Sequence, residues 1–126
     1  MNSRDNMYIA HILKHCDELI ENLSEIKNNY DEFLENKNIK KAITFDIFQI
    51  GEMIGCLSVD IKKHFDPEDI RGAKNIRNCI AHGYAFIEDA ELWKTANHDI
   101  PKISSILKDL VESWFNLKEK HLKEMP

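Results

Sequence analysis

The chain has 126 residues, with 17 lysines and arginines against 22 aspartates and glutamates and a formal net charge of -5. This length reads as one domain over residues 1–126, and the acidic balance excludes a polycation built to coat nucleic acid. A 43% hydrophobic composition with only four glycines and three prolines leaves little room for a turn-rich all-β fold and favours helix.

From Tyr8 to Phe33 the apolar residues Tyr8, Ile12, Cys16, Leu19, Leu23, Ile26, Tyr30 and Phe33 recur at steps of three and four, which predicts one long first helix. The polar run Glu35-Asn36-Lys37-Asn38 ends it. Ile43, Ile47, Ile50, Ile54, Leu57 and Ile61 repeat the spacing on a second helix. Phe45, Phe48, Cys56 and Val59 make that helix apolar on its other sides as well, so it needs cover nearly all round, which a homodimer supplies. Gly51 and Gly55 lie one turn apart and each costs about 1 kcal/mol of helix propensity, so a close approach by a neighbour is expected along both.

Asp66-Pro67-Glu68-Asp69 places a capping aspartate, a proline at the first helical position and acidic residues in the first turn, the start of a third helix. It runs to about His82, with Gly83 as the residue that ends it. Tyr84 to Ile87 reads as a connection, and Glu88 or Asp89 caps a fourth helix carrying Leu92, Trp93 and Ala96. Asp99-Ile100-Pro101 punctuates again, and Ile103, Ile106, Leu107, Leu110, Trp114 and Leu117 mark a fifth. The expected architecture is an all-α, up-and-down bundle of four to five helices.

Cys16, Cys56 and Cys79 are odd in number and form no C-x-x-C pair, which suits a reducing compartment. Arg4 and Asp5 replace the apolar core of a signal peptide, and Asp46, Glu52 and Asp60 interrupt the most apolar stretch. The expectation is a soluble cytoplasmic protein with no membrane segment.

Only Arg4, Arg71 and Arg77 are arginines. On a wheel at about 100° per residue, Arg77 falls within the apolar face of the third helix formed by Ile70, Ala73, Ile76 and Ile80. A guanidinium there needs a carboxylate such as Glu52, a partner subunit or a ligand phosphate, because it cannot be deprotonated. His82 follows five residues later, about 140° around an ideal helix. The two converge only if the last turn frays at Gly83 or if they meet across a dimer; alone, a histidine at a helix C-terminus complements the dipole. Residues 62–82 carry five basic and three acidic side chains, a net positive segment between the net acidic residues 1–61 and 83–126. Lys62-Lys63-His64 within it either complements a helix dipole or extends a phosphate-binding track. His11, His15 and Glu18 have a spacing that can hold a metal, but with no H-E-x-x-H string they read as a solvated helix edge, and no metal site is expected.

The string Arg77-Asn78-Cys79-Ile80-Ala81-His82-Gly83-Tyr84 resembles the Arg-x4-His-x-Tyr signature of the HepT family, within the HEPN group of helical ribonucleases. The Gly51-Glu52 pair, Leu92-Trp93 and Asp99-Ile100-Pro101 extend the resemblance over most of the chain. It implies a homodimeric, metal-independent toxin endoribonuclease of a type VII toxin-antitoxin system, acting on RNA without a cofactor. Its partner would be an MntA-like nucleotidyltransferase antitoxin. In that family the positions of Arg77 and His82 cut RNA, and the position of Tyr84 receives AMP from the antitoxin. Asn78, one turn before His82, is a supporting candidate from its spacing, to orient the imidazole or donate to phosphate. The alternative is a non-catalytic helical partner that presents substrate to a nucleotidyltransferase. The sequence departs from the family's usual look at Arg71-Gly72-Ala73-Lys74, where a bulky aromatic is common.

Overall fold

A computed structural model describes residues 1–83 and 86–125. Helix α1 (Ser3–Glu25) starts where the Asn2 side chain accepts the Asp5 amide at 2.7 Å, and it buries Ile9, Ile12, Cys16, Leu19 and Leu23 along one stripe. It does not continue to Phe33, as the spacing suggests. Lys27 and Asn28 adopt left-handed φ angles of 53° and 51°, and the Asn28 amide closes back on the Leu23 carbonyl at 2.8 Å, a Schellman-type stop. Ile26 before the break and Phe33 after it are both buried, so the apolar rhythm crosses a point where the backbone turns.

Asn29 caps the short α2 (Tyr30–Glu35), and Asn36 both ends α2 and caps α3 (Lys37–Cys56), accepting the Ile39 amide at 3.0 Å. Helix α3 stops at Cys56, earlier than the expected Ile61. Leu57 is extended, and Ser58 starts a separate turn, α4 (Val59–Lys62). The buried Asp5 carboxylate fixes this corner by accepting the Ser58 amide at 2.9 Å and its hydroxyl at 2.6 Å.

Helix α5 (Pro67–Ala81) begins and ends where its sequence signals place it. Helix α6 (Asp89–Lys94) widens into a π turn (Thr95–Asp99) and passes directly into α7 (Ile100–Glu124). Asp99-Ile100-Pro101 is thus not a break. Pro101 lies in the first turn of α7, where its missing N–H costs least, and the wide turn before it absorbs the ring.

Residue contacts set the helix order. Helix α1 lies antiparallel to α3, α5 returns along α3, and α7 packs against α1 and α5. Among the described residues the fold is all-helical, an up-and-down bundle whose core centres on Ile12, Ile43, Ile47, Ile50, Ile76 and Ile103. No helix among them is long and apolar enough to cross a membrane. Cys16 is buried in this core, and desolvation pushes its thiol up to about 12.

Candidate functional site

Two glycines clamp α5 in place. A Cβ on Gly51 of α3 would lie 2.8 Å from the Ala73 carbonyl oxygen and 2.8 Å from Arg77 Cβ, so α3 and α5 meet backbone to backbone there. On the other flank Gly72 abuts the side chains of Thr95 and Asp99 in the π turn. A bulky side chain at Gly72 has no room at this point. At its start, α5 is tied down by Asp69, which accepts the Asp66 amide at 3.0 Å and the Lys102 ammonium at 2.7 Å. The Lys102 hydrogen bond is the main cause holding the Asp69 carboxyl below the ordinary carboxylate range, against its burial.

This clamp sets Arg77 against α3, where its Nε donates to Glu52 Oε1. Its Nη1 donates to Asn78 Oδ1 at 3.1 Å, and these two bonds use two of the five guanidinium N–H groups. Arg77 is half-buried rather than enclosed in the core: it lies at the edge of the apolar face, beside an open cleft. Gly51, Glu52, Gly55, Cys56, Lys74 and Arg77 line that cleft, of about 310 Å³, with Asn78. Gly55 differs from Gly51 in that an added Cβ would meet nothing within 4 Å, so only one of the pair serves close approach within this chain.

His82 is the cap residue of α5 and is exposed. Its amide donates to the Asn78 carbonyl at 3.0 Å, and Gly83, at φ +76°, ends the helix as its position suggested. Asn78 turns its side-chain oxygen to Arg77. Tyr84 lies outside the described residues. Sequence reading passed over Lys74, which stands one turn before Arg77 and Asn78 on the same cleft and makes no ion pair among the described residues.

A metal-capable group does exist, but with a different membership from the spacing on α1. His15 Nδ1 lies 2.9 Å from Asp46 Oδ1 and 3.7 Å from Glu18 Oε2, and the three donors sit within 4.8 Å of one another. His11 is not among them. The group belongs to the α1–α3 seam and shares no residue with the Arg77 cleft. Burial raises the Asp46 carboxyl above its ordinary range, a shift that the His15 hydrogen bond only partly offsets.

With the cleft defined, comparison with known proteins is informative. The sequence model of the family described as "Ribonuclease HepT-like" matches residues 12–110. The chain belongs to the HepT-like ribonuclease family. Its match spans the bundle from α1 into α7 and includes Glu52, Arg77, His82 and Tyr84. Three proteins of Methanocaldococcus jannaschii are similar over nearly their whole lengths. "Putative RNase MJ0125" is 29% identical over 89% of this chain and 99% of its own, and "Putative RNase MJ1216" is 28% identical over 87% and 93%. "Putative RNase MJ1380" is 31% identical over 82% and 94%. No solved structure matches the chain.

Proposed function

We propose that this HepT-like protein is a metal-independent endoribonuclease toxin that works as a homodimer, with Arg77 and His82 as the cutting pair. The observation that carries the reading is the placement of Arg77: a permanent cation oriented by Glu52 at the edge of an open cleft, one turn before the helix end that bears His82.

The chemistry follows from the residue types. A ribose 2′-hydroxyl attacks the adjacent phosphorus, its proton passes to a general base, and the 5′-oxygen leaves with a proton from a general acid. A 2′,3′-cyclic phosphate remains. The His82 imidazole serves as the base or as the acid. Arg77 carries the charge that grows on the phosphorane oxygens, with a planar fork fixed by its Glu52 contact. Asn78, bonded to the same guanidinium, supports that orientation. No step requires a metal or another cofactor.

The second copy is supported by an apolar groove of about 350 Å³ beside the cleft, lined by Phe45, Phe48 and Ile80 with Lys40 and Lys41 at its rim. Phe45 is 56% exposed. In this reading the antitoxin is an MntA-like nucleotidyltransferase that transfers AMP to Tyr84, two residues past His82. An adenylate there brings bulk and negative charge to the place where an RNA phosphate must sit.

The purified chain, with EDTA present, should convert single-stranded RNA to products ending in 2′,3′-cyclic phosphate, and 2′-O-methyl RNA should resist. His82→Ala should abolish cleavage with unchanged melting; equal cleavage by that variant overturns the catalytic assignment. If instead the chain never cuts RNA but still binds a nucleotidyltransferase, the non-catalytic partner reading replaces it. Mass addition by the transferase with ATP that persists in Tyr84→Phe moves the modification site elsewhere.

A further inference from the structure

Beside the Arg77 cleft runs a second groove, of about 400 Å³, whose polar lining is Lys62, Arg71, Lys74, Asn75 and Asn78. We propose that this groove is a binding site for the sugar-phosphate backbone of single-stranded RNA, leading the strand away from the cutting residues. The inference rests on the ribonuclease reading and adds to it a path for the substrate.

The two grooves are continuous. Lys74 and Asn78 line both. Lys62 reaches from the second groove to the first, its ammonium donating to the Gly55 carbonyl at 2.9 Å in the last turn of α3. Along α5, Arg71, Lys74, Asn75 and Asn78 recur at three- and four-residue steps, so they form one strip that points the same way over roughly 10 Å of helix.

The groove's chemistry suits phosphodiesters. Among the described residues Lys74 makes no ion pair, and Arg71 pairs only with Glu68 of its own helix, 2.8 Å away and largely exposed. Such a contact yields readily to a phosphate, which takes the guanidinium in a bidentate grip. Asn75 and Asn78 offer amide groups that both donate and accept, matching phosphate oxygens and 2′-hydroxyls. Among the described residues the one aromatic ring in the lining, Phe65, is buried in the core, so they offer no platform for stacking bases. The groove therefore reads the backbone and tolerates sequence. Five cations against three acidic groups in residues 62–82 concentrate positive charge here in a chain of net charge -5.

The test measures binding of a labelled, mixed-sequence single-stranded RNA to the His82→Ala protein by fluorescence anisotropy across a KCl series. Adding Lys62→Ala, Arg71→Ala and Lys74→Ala should weaken binding at least tenfold at low salt. It should also reduce the slope of log K against log salt by about 2, since each single-strand phosphate contact contributes about 0.7. Removing the same charge from the α7 tail, with Lys118→Ala, Lys120→Ala and Lys123→Ala, should leave the slope unchanged. Lys62→Arg with Lys74→Arg should retain it, which separates lost contacts from lost folding. Equal slopes for the groove and tail variants overturn the proposal, as does a His82→Ala protein that binds no RNA. A wild-type chain that cuts RNA while the groove variant keeps its slope removes the groove alone. A chain that binds through the groove but never cuts removes the catalytic reading instead.

Discussion

Glu52 on α3 and Arg77 on α5 form an ion pair across the helix seam, and both side chains remain 37% exposed. A pair this open contributes at most about 1 kcal/mol to folding, because water screens it and two long side chains must be ordered to make it. Its consequence is orientation: Glu52 takes the Nε–H and leaves the far side of the guanidinium to the cleft. Glu52→Ala should therefore lower kcat by roughly 10- to 100-fold, the scale of a misplaced catalytic group, with little change in melting. Glu52→Gln, which keeps an acceptor oxygen, should fall less. Steady-state kinetics with thermal melting check both, and a large melting loss with unchanged kcat would make the pair structural.

Gly51 and Gly55 are separated by one turn yet should respond in opposite directions. Gly51→Ala forces a methyl against the Ala73 carbonyl oxygen, 2.8 Å away, and a backbone atom cannot swing aside. The overpacking should cost about 1–3 kcal/mol and shift α5 away from α3, so cleavage falls with stability. Gly55→Ala meets nothing within 4 Å, and the better helix former should add up to about 1 kcal/mol to the monomer. Urea unfolding at low protein concentration measures both.

Asp69 and Asp46 are both buried, yet their pH effects have opposite signs. The Asp69 carboxyl is held below 3.8 chiefly by Lys102, so its stabilisation is present above the unfolded pKa and lost as pH falls through the lower folded value. Asp46 is raised above 3.8 by burial, so the folded state loses stability as pH rises through that higher value. Asp69→Asn should lose most relative to wild type near neutral pH and least in acid. Asp46→Asn should gain relative to wild type as pH climbs above 3.8. Urea midpoints across this range give both slopes, and parallel curves for a variant and wild type would refute the corresponding assignment.

The limits of α5 were legible because their signals are local: Asp66-Pro67 starts the helix, and Gly83 supplies the one positive φ that ends it. The halt at Lys27–Asn28 was hidden because Ile26 and Phe33 both reach the core, so apolar periodicity runs on through a backbone reversal. Pro101 misled in the other direction, since a proline marks a helix end only where no wide turn precedes it. In the site, the wheel placed Arg77 within the apolar face of α5 and offered Glu52 as one partner among several. Nothing local could add Asp46 to His15, 31 residues away, or show that Gly72 is small because Thr95 and Asp99 press against it. Such pairings come from helix packing, which a single sequence does not display.

The last prediction concerns which chains build a site. Arg77 lies within α5 and His82 is its C-cap, with φ -92° and ψ 8°, five residues on, a spacing that sets them about 140° apart around a helix axis within one chain. In the proposed homodimer, a two-fold axis at the Phe45 and Ile80 face would bring Arg77 of one copy towards His82 of the other. Neither Arg77→Ala nor His82→Ala should cut RNA alone. Unfolded together and refolded, half of the dimers would be mixed, and each mixed dimer would hold one intact site, so about a quarter of wild-type activity should return. Sites built within single chains would return none. Phe45→Asp should abolish the recovery and sediment as a monomer while keeping its helicity, because Phe45 is 56% exposed in the isolated chain and contributes little to its core.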